Sequence, residues 1–134
     1  MSDQSEKTKV HEFMHKDILT IEPEASLRKA SQVMGEKGVG ALLVKEGEDF
    51  IGIISEEGLT RGAMAMGLDV EKTSVRTIMR EKLIGIESNQ HVAEARKLMK
   101  NHGLRHLVVK EENKVVGIIT LSDLIRYYSG FFDE

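Results

Sequence analysis

The stretch GIITLSDLIR at residues 117–126 has a counterpart, GIISEEGLTR, at residues 52–61, which is 65 positions earlier. In both, a glycine and two isoleucines precede a hydroxyl residue, a pattern typical of a buried strand that ends just before a helix. The same shift of 65 positions aligns residues 10–62 with residues 75–127 without a gap, and 16 of the 53 pairs are identical. Chance alone would give about three identical pairs. The chain therefore contains two copies of one unit.

Each copy has the same order of predicted elements. A short helix comes first, with apolar residues at i, i+3 and i+4 (Val10, Phe13 and Met14 in the first copy), followed by a brief strand. A second helix carries an apolar stripe and ends at Gly38 or Gly103. The strand pairs that follow are residues 39–44 with 50–55 and residues 104–109 with 115–120. The closing helices are residues 56–66 and residues from 121 onward.

These elements predict an α/β fold in the broad α+β sense, made of two β-α-β-β-α repeats. Neither copy alone has enough apolar surface for a stable core, so we expect the two to pack about a pseudo-twofold axis. The chain divides into an N-terminal tail expected to be flexible (1–9), repeat 1 (10–66), a connector (67–74), repeat 2 (75–128) and a C-terminal tail (129–134).

Composition excludes several classes of function. The net charge is −3 and there is no cysteine, which argues against a nucleic-acid surface, a disulfide framework and a thiol site. No apolar run is long enough to cross a bilayer, so we expect a cytoplasmic protein with no membrane partner. Phosphate-loop and nucleophile-elbow motifs are absent, so we predict no enzyme activity. His11 and His15 have the spacing of a metal pair on the predicted first helix, but no third ligand is evident, and we predict no metal site.

With the segments GVGALLV at residues 38–44 and GLRHLVV at residues 103–109, the repeated pattern resembles the CBS domain. A tandem of two resembles the CBS pair, or Bateman module, over residues 10–127. The resemblance implies a regulatory protein that binds an adenosine compound, such as AMP, ADP, ATP, S-adenosylmethionine or NAD, in a cleft between repeats. It also implies a homodimer and an effector partner. No cofactor is required.

Thr120 and Asp123 are the first candidate site residues. A nucleoside needs a carboxylate for its ribose hydroxyls and a hydroxyl or basic group for its phosphate. Thr120 ends a predicted strand and Asp123 enters the next helix, so both lie at the carboxyl end of that strand, where a helix N-terminus also favours an anion. The alternative is that both residues only cap the helix. A double role is also possible.

The resemblance implies further ligand-binding residues. They are Lys16, Asp17 and Ile18 at the entrance, Val39, Gly40 and Ala41 around the base, and Arg105 and His106 near the phosphate. Arg105 is favoured over His106 because a guanidinium binds phosphate in a fork geometry. The alternative for both residues is a solvent or interface contact.

The two repeats differ at the carboxylate. Gly58 stands where the second repeat has Asp123, and Glu57 comes one residue early, about 100° round a helix. We therefore predict one competent site, with the other empty or binding a compound that lacks a ribose diol. The alternative to a sensor is a scaffold that binds no ligand and uses the aromatic segment 127–132 for contacts. Burial of that segment is favoured over exposure.

Overall fold

The computed structural model describes residues 6–130, and these fold into two compact units. The first unit is residues 19–83, and the second unit is residues 84–130 together with residues 6–18. Each unit contains one three-stranded sheet with helices packed on it. The predicted α+β class and its two repeats are confirmed. The ends of both tails, including Phe131 and Phe132, lie outside the described residues.

From its first strand to its closing helix the first unit follows the predicted order, and it ends with the short helix that opens the second sequence repeat. Its elements are β1 (Thr20–Ile21), α1 (Leu27–Lys37), β2 (Ala41–Glu46), β3 (Asp49–Ser55), a π-helix (Gly58–Met64) and α2 (Val75–Ile78). Strand β2 is parallel to β1 and antiparallel to β3. Helix α1 begins at Ser26, whose Oγ accepts from the Lys29 amide at 3.0 Å. It ends at Gly38, which has the left-handed φ of 66° that favours glycine.

The second unit repeats this arrangement. A 3-10 turn (Val10–Glu12) is followed by β4 (Gly85–Glu87), α3 (Val92–His102), β5 (His106–Glu111), β6 (Lys114–Thr120) and α4 (Leu121–Ser129). The strand order β4-β5-β6 has the same directions as in the first unit. None of the helices within residues 6–130 is long and apolar enough to span a membrane.

The segment that begins each sequence repeat packs onto the other repeat. Val10 is fully buried in the core of the second unit, and its amide donates to the Gln90 carbonyl at 2.8 Å. Val75 is fully buried in the core of the first unit, and its amide donates to the Ala25 carbonyl at 2.8 Å. The compact units therefore differ from the sequence repeats 10–66 and 75–128 by one exchanged segment each, residues 10–18 in the second unit and residues 75–83 in the first. An apolar pattern predicts burial without saying which core receives the residue.

Polar contacts hold both exchanged segments in place. Thr8, which the sequence division assigns to the N-terminal tail, accepts at its carbonyl from the Val92 amide at 2.9 Å. On α2, Arg76 donates to Glu24 Oε1 at 2.8 Å and also pairs with Glu46. These hydrogen bonds, first Glu24 and then Glu46, raise the pKa of Arg76 above its ordinary value.

Several elements differ from the prediction in their bounds or type. Strands β2 and β5 begin two residues later than predicted. The reason is that the amides of Val39 and Leu104 still donate to carbonyls in the last turns of the preceding helices, those of Met34 and Met99. The opening helix of the first repeat is reduced to the 3-10 turn. Where an α-helix over 56–66 was predicted, most of the segment is a π-helix with i+5 bonds, such as Ala65 amide to Thr60 carbonyl at 2.9 Å. Gly58 and Gly62 weaken the preference for the tighter α turn.

A glycine on β6 lets the N-terminal segment approach the sheet. The His15 amide donates to the Ile118 carbonyl at 2.8 Å, and the Ile118 amide donates back at 3.0 Å. A β-carbon at Gly117 would lie 2.7 Å from both the His15 carbonyl oxygen and Met14 Sδ. Only glycine fits there without a shift of the segment, and this close approach places His15 beside the end of β6.

Candidate functional site

Asp123 lies at the direct junction of β6 and α4. Thr120 is the residue before the helix, and its Oγ1 accepts from the Asp123 amide at 3.1 Å. In return, Asp123 Oδ2 accepts from the Thr120 amide at 2.8 Å. This reciprocal pair is a capping box, which satisfies amides that the first helical turn leaves without partners. The helix-cap role that the sequence left open is thus present in the structure.

The second carboxylate oxygen of Asp123 has two further partners. His15 Nε2 lies 2.6 Å from Oδ1, and Arg126 Nη2 lies 2.5 Å from the same atom. The side chain of Asp123 is 1% exposed, whereas those of His15 and Arg126 are 52% and 63% exposed. A buried carboxylate is stable only when donors of this kind compensate for lost water.

The three donors leave Asp123 with limited room for a ligand. An ionised carboxylate offers about four lone-pair positions, and three are in use. A vicinal diol that donates two hydrogen bonds must therefore displace one donor. His15 and Arg126 are the donors that can leave, because both side chains are more than half exposed. The Thr120 amide belongs to the cap and stays.

Aromatic rings support the donors of Asp123. The Phe13 and Tyr127 rings meet edge to face with centroids 5.3 Å apart, and the Arg126 guanidinium lies 5.9 Å from the centre of the Phe13 ring. Tyr127 donates its hydroxyl hydrogen to Thr8 Oγ1 at 2.8 Å. Tyr127 and Tyr128 are half-buried against the core of the second unit. Burial, the favoured interpretation of the aromatic segment, is confirmed for these two residues.

Five other sequence-predicted residues belong to the second unit with Thr120 and Asp123. Lys16, Asp17 and Ile18 follow His15 directly, the first two exposed and the third half-buried. Arg105 accepts at its carbonyl from the amide of Leu121, the first residue of α4, at 2.8 Å. His106 pairs with Thr120 across β5 and β6. The backbone of the predicted phosphate-binding pair therefore adjoins the Thr120–Asp123 junction.

The remaining three predicted residues, Val39, Gly40 and Ala41, belong to the first unit. Val39 and Gly40 connect α1 to β2, and Ala41 is the first residue of β2. The Gly40 carbonyl accepts from the Glu56 amide at 3.0 Å. Val39 lines an open groove of about 380 Å³ between α1 and the π-helix, together with Met34 and Leu59. Their part in binding a base stays a prediction.

Two partners of Asp123 were not predicted. Arg126 had a signal in the sequence, because residues three apart on a helix are neighbours. The sequence spacing pairs His15 only with His11, on a predicted helix that in fact ends at Glu12. Its contact with Asp123 depends on the exchanged segment, which no local pattern reports. Within residues 6–130, no group of three or more His, Asp or Glu side chains could hold a metal ion.

Comparison with known proteins gives one family over most of the chain. The family model described as CBS domain matches residues 10–64 and residues 75–130. The uncharacterised protein MK0525 of Methanopyrus kandleri is 32% identical over 119 residues, which are 87% of this chain and 61% of that protein. The chain thus spans less than two thirds of that relative.

Solved structures agree with the family match. An uncharacterised conserved protein from Pyrococcus horikoshii has a TM-score of 0.86 at 30% identity, with 95% of each chain covered. A protein with CBS domains from Burkholderia ambifaria, described as a candidate signal-transduction protein, has a TM-score of 0.84 at 32% identity. That alignment covers 89% of this chain and 88% of the other.

Proposed function

The chain belongs to the CBS domain family, and we propose that it is a regulatory protein that binds an adenosine nucleotide at Asp123 and transmits the binding to a partner protein. In this proposal the nucleotide is a signal and not a substrate. The observation that carries the proposal is the buried Asp123 carboxylate at the junction of β6 and α4. Two of its three donors, His15 and Arg126, are exposed side chains that a ligand can displace.

The ribose diol is the part of the ligand that Asp123 recognises. Its two hydroxyls donate to the carboxylate and replace the hydrogen bond from His15 or Arg126, so the buried charge remains satisfied. Arg105 adjoins the same junction through its backbone bond to Leu121. Its guanidinium supplies the fork geometry that phosphate oxygens prefer.

Displacement of His15 is the step that turns binding into a signal. His15 is held to β6 by two backbone hydrogen bonds and to Asp123 by its side chain, and Lys16, Asp17 and Ile18 follow it. The protein therefore has a state with His15 on Asp123 and a state with the diol there. A ligand shifts this equilibrium by as much as its affinity differs between the two states.

Calorimetric titration with AMP, ADP, ATP and S-adenosylmethionine tests the proposal. We expect the wild-type protein to bind at least one of them, and Asp123→Asn, which keeps the shape but weakens the acceptor, to bind at least about tenfold more weakly. Asp49→Asn, at an exposed carboxylate in the first unit, is the matched control and should bind as the wild type does. Absence of binding by the wild type, or equal binding by Asp123→Asn, contradicts the proposal.

The same hydrogen bonds also suit a second candidate function, a scaffold that binds no ligand. In a scaffold, the donors of Asp123 serve only to fix the N-terminal segment to α4, and exposed Met64, Met66 and Ile125 are available for contacts with a partner or a second copy. A scaffold gives no binding heat with any of the four adenosine compounds. Sedimentation measurements with and without nucleotide also test the homodimer implied by the sequence.

A further inference from the structure

The exposed side of α3 carries three cations, which we call the basic face. Arg96, Lys97 and Lys100 are exposed, and their spacing places them within about 100° of one another round the helix. None of the three forms an ion pair with a residue of the range 6–130. The acidic residue of α3, Glu94, is half-buried in its first turn. The positive charge of the basic face is therefore not neutralised within the described chain.

The basic face is not a requirement of the fold. Helix α1 has the same length of 11 residues and also ends at a left-handed glycine. The shift of 65 positions nevertheless places the neutral residues Ser31, Gln32 and Gly35 at the positions of the three cations. Like charges three and four residues apart also destabilise a helix slightly. Since the helix gains nothing from the cluster, the basic face points to a binding partner of opposite charge.

An aromatic chain connects the basic face to the donors of Asp123. It consists of three rings in successive edge-to-face contact, those of Tyr128, Tyr127 and Phe13. At one end, the Arg96 guanidinium lies 5.3 Å from the centre of the Tyr128 ring. At the other end, the Phe13 ring adjoins Arg126, which donates to Asp123. Neighbouring side chains thus link the basic face to the carboxylate without a gap.

The first unit contains neither the chain of rings nor the carboxylate. The shift of 65 positions places Ile78, Gly62 and Ala63 at the positions of the three rings, and Gly58 at the position of Asp123. The carboxylate, the aromatic chain and the basic face therefore occur together in the second unit and are replaced together in the first. This joint occurrence favours a single function for all three.

We propose that the basic face of α3 is the docking surface for an acidic segment of the partner protein, and that the aromatic chain transmits the state of Asp123 to it. The inference rests on the proposed function, which assigns the nucleotide to Asp123. Arg96 and Lys100 are about 6 Å apart along the helix axis, and alternate side chains of an extended segment are about 6.6 Å apart. Two acidic residues with one residue between them therefore match these two cations.

Other polyanions fit the basic face less well. Sites for nucleic acid contact about six to ten phosphates, and basic clusters that bind anionic membranes contain about four to eight Lys or Arg residues. The basic face has three cations, and the net charge of the chain is −3. A helix that lies on a membrane also needs apolar side chains beside its cations. The exposed large apolar residues of the described range are Met64, Met66 and Ile125, and none belongs to α3.

NMR titration with a capped octapeptide of alternating glutamate and serine, in the absence of nucleotide, tests the docking surface. We expect saturable amide shifts along residues 96–101, with a dissociation constant of about 1 mM or less in about 20 mM salt. The double variant Lys97→Gln, Lys100→Gln should bind the peptide at least about fivefold more weakly. Lys29→Gln with Lys37→Gln removes the same charge from exposed positions on α1 and should bind as the wild type does.

Several results would overturn the docking surface. They are the absence of saturable binding by the wild type, full affinity in the α3 double variant, and an equal loss of affinity in the α1 control. Tighter binding of single-stranded DNA or of phosphatidylserine vesicles than of the peptide would also overturn it, because the partner would then not be an acidic polypeptide. All four substituted lysines are exposed, so thermal unfolding should show both variants folded.

The same titration tests the aromatic chain. In the wild type, the peptide should also shift the amides of Asp123 and Arg126. Tyr128→Leu and Phe13→Leu interrupt the chain at different rings, and each should abolish these distant shifts while the peptide affinity stays within about twofold. Shifts confined to α3 in the wild type, or distant shifts that persist in both variants, overturn the transmission. No nucleotide is present, so this failure is distinct from a failure of the calorimetric titration.

Discussion

The Nε2 atom of His15 lies 2.6 Å from Oδ1 of Asp123, although the two residues are 108 positions apart in the sequence. This hydrogen bond connects the exchanged N-terminal segment to the first turn of α4. In the proposed complex, a ligand that displaces His15 removes this tie to the segment, and by linkage a partner that holds the segment would change the affinity for the ligand. On this proposal, the contact would couple ligand binding to the position of residues 13–18.

Removal of the His15 side chain should strengthen nucleotide binding. In His15→Ala, the ligand no longer displaces this donor, and we expect affinity to rise about three- to tenfold, within the range of one charge-assisted hydrogen bond at a half-exposed position. Calorimetry measures the change. His11→Ala, an exposed histidine in the adjacent 3-10 turn, should leave affinity unaltered. Unchanged or weaker binding by His15→Ala would show that His15 does not compete with the ligand.

Loss of the Asp123 carboxylate should destabilise the protein. Asp123→Ala removes the carboxylate that accepts hydrogen bonds from the Thr120 amide and from the side chains of His15 and Arg126. We expect the free energy of unfolding to fall by about 1–3 kcal/mol, as for the loss of a cap and a buried acceptor. Urea denaturation measures it. Ser122→Ala, the exposed neighbour on the same turn, is expected to stay within about 0.5 kcal/mol of the wild type.

The two close-approach glycines should give a matched pair of effects. Gly117→Ala and Gly52→Ala each force an exchanged segment away from its strand, and each should cost about 1–3 kcal/mol by overpacking. Only Gly117→Ala moves His15, so only this variant should shift the NMR ring resonances of His15. Similar shifts in both variants, or in neither, would refute the local origin of the effect.

The second hairpin holds a strained residue. Glu112 has a φ of 51°, at the position where the first hairpin has Gly47 with a φ of 62°. Glu112→Gly should therefore stabilise the protein by about 0.5–1 kcal/mol, and Gly47→Glu should destabilise it by a similar amount. Thermal unfolding of both reciprocal variants measures the difference. A lower melting temperature for Glu112→Gly contradicts the expectation.

Much of the fold could be predicted from the sequence because its signals are local. Gly38 ends α1 as predicted, and the shift of 65 positions relates two sheets with the same strand order. The spacing of three residues between Thr120 and Asp123 is enough to predict that they form a capping pair. The contact between His15 and Asp123 cannot be predicted in this way, because it depends on which core receives Val10. The π-helix also escaped prediction, since apolar spacing over seven residues suits more than one helical turn.

The exchanged segments also set an order of assembly. Residues 19–83 are contiguous and hold the whole first unit, so this unit is complete once that stretch has been synthesised. The second unit joins opposite ends of the described chain, because Thr8 and the Tyr127 that bonds it are 119 positions apart in the sequence. Closing such a loop costs more entropy than closing a short one, and chains are made from the N-terminus at about 5–20 residues per second. The second unit is therefore the last part of the described chain to be completed.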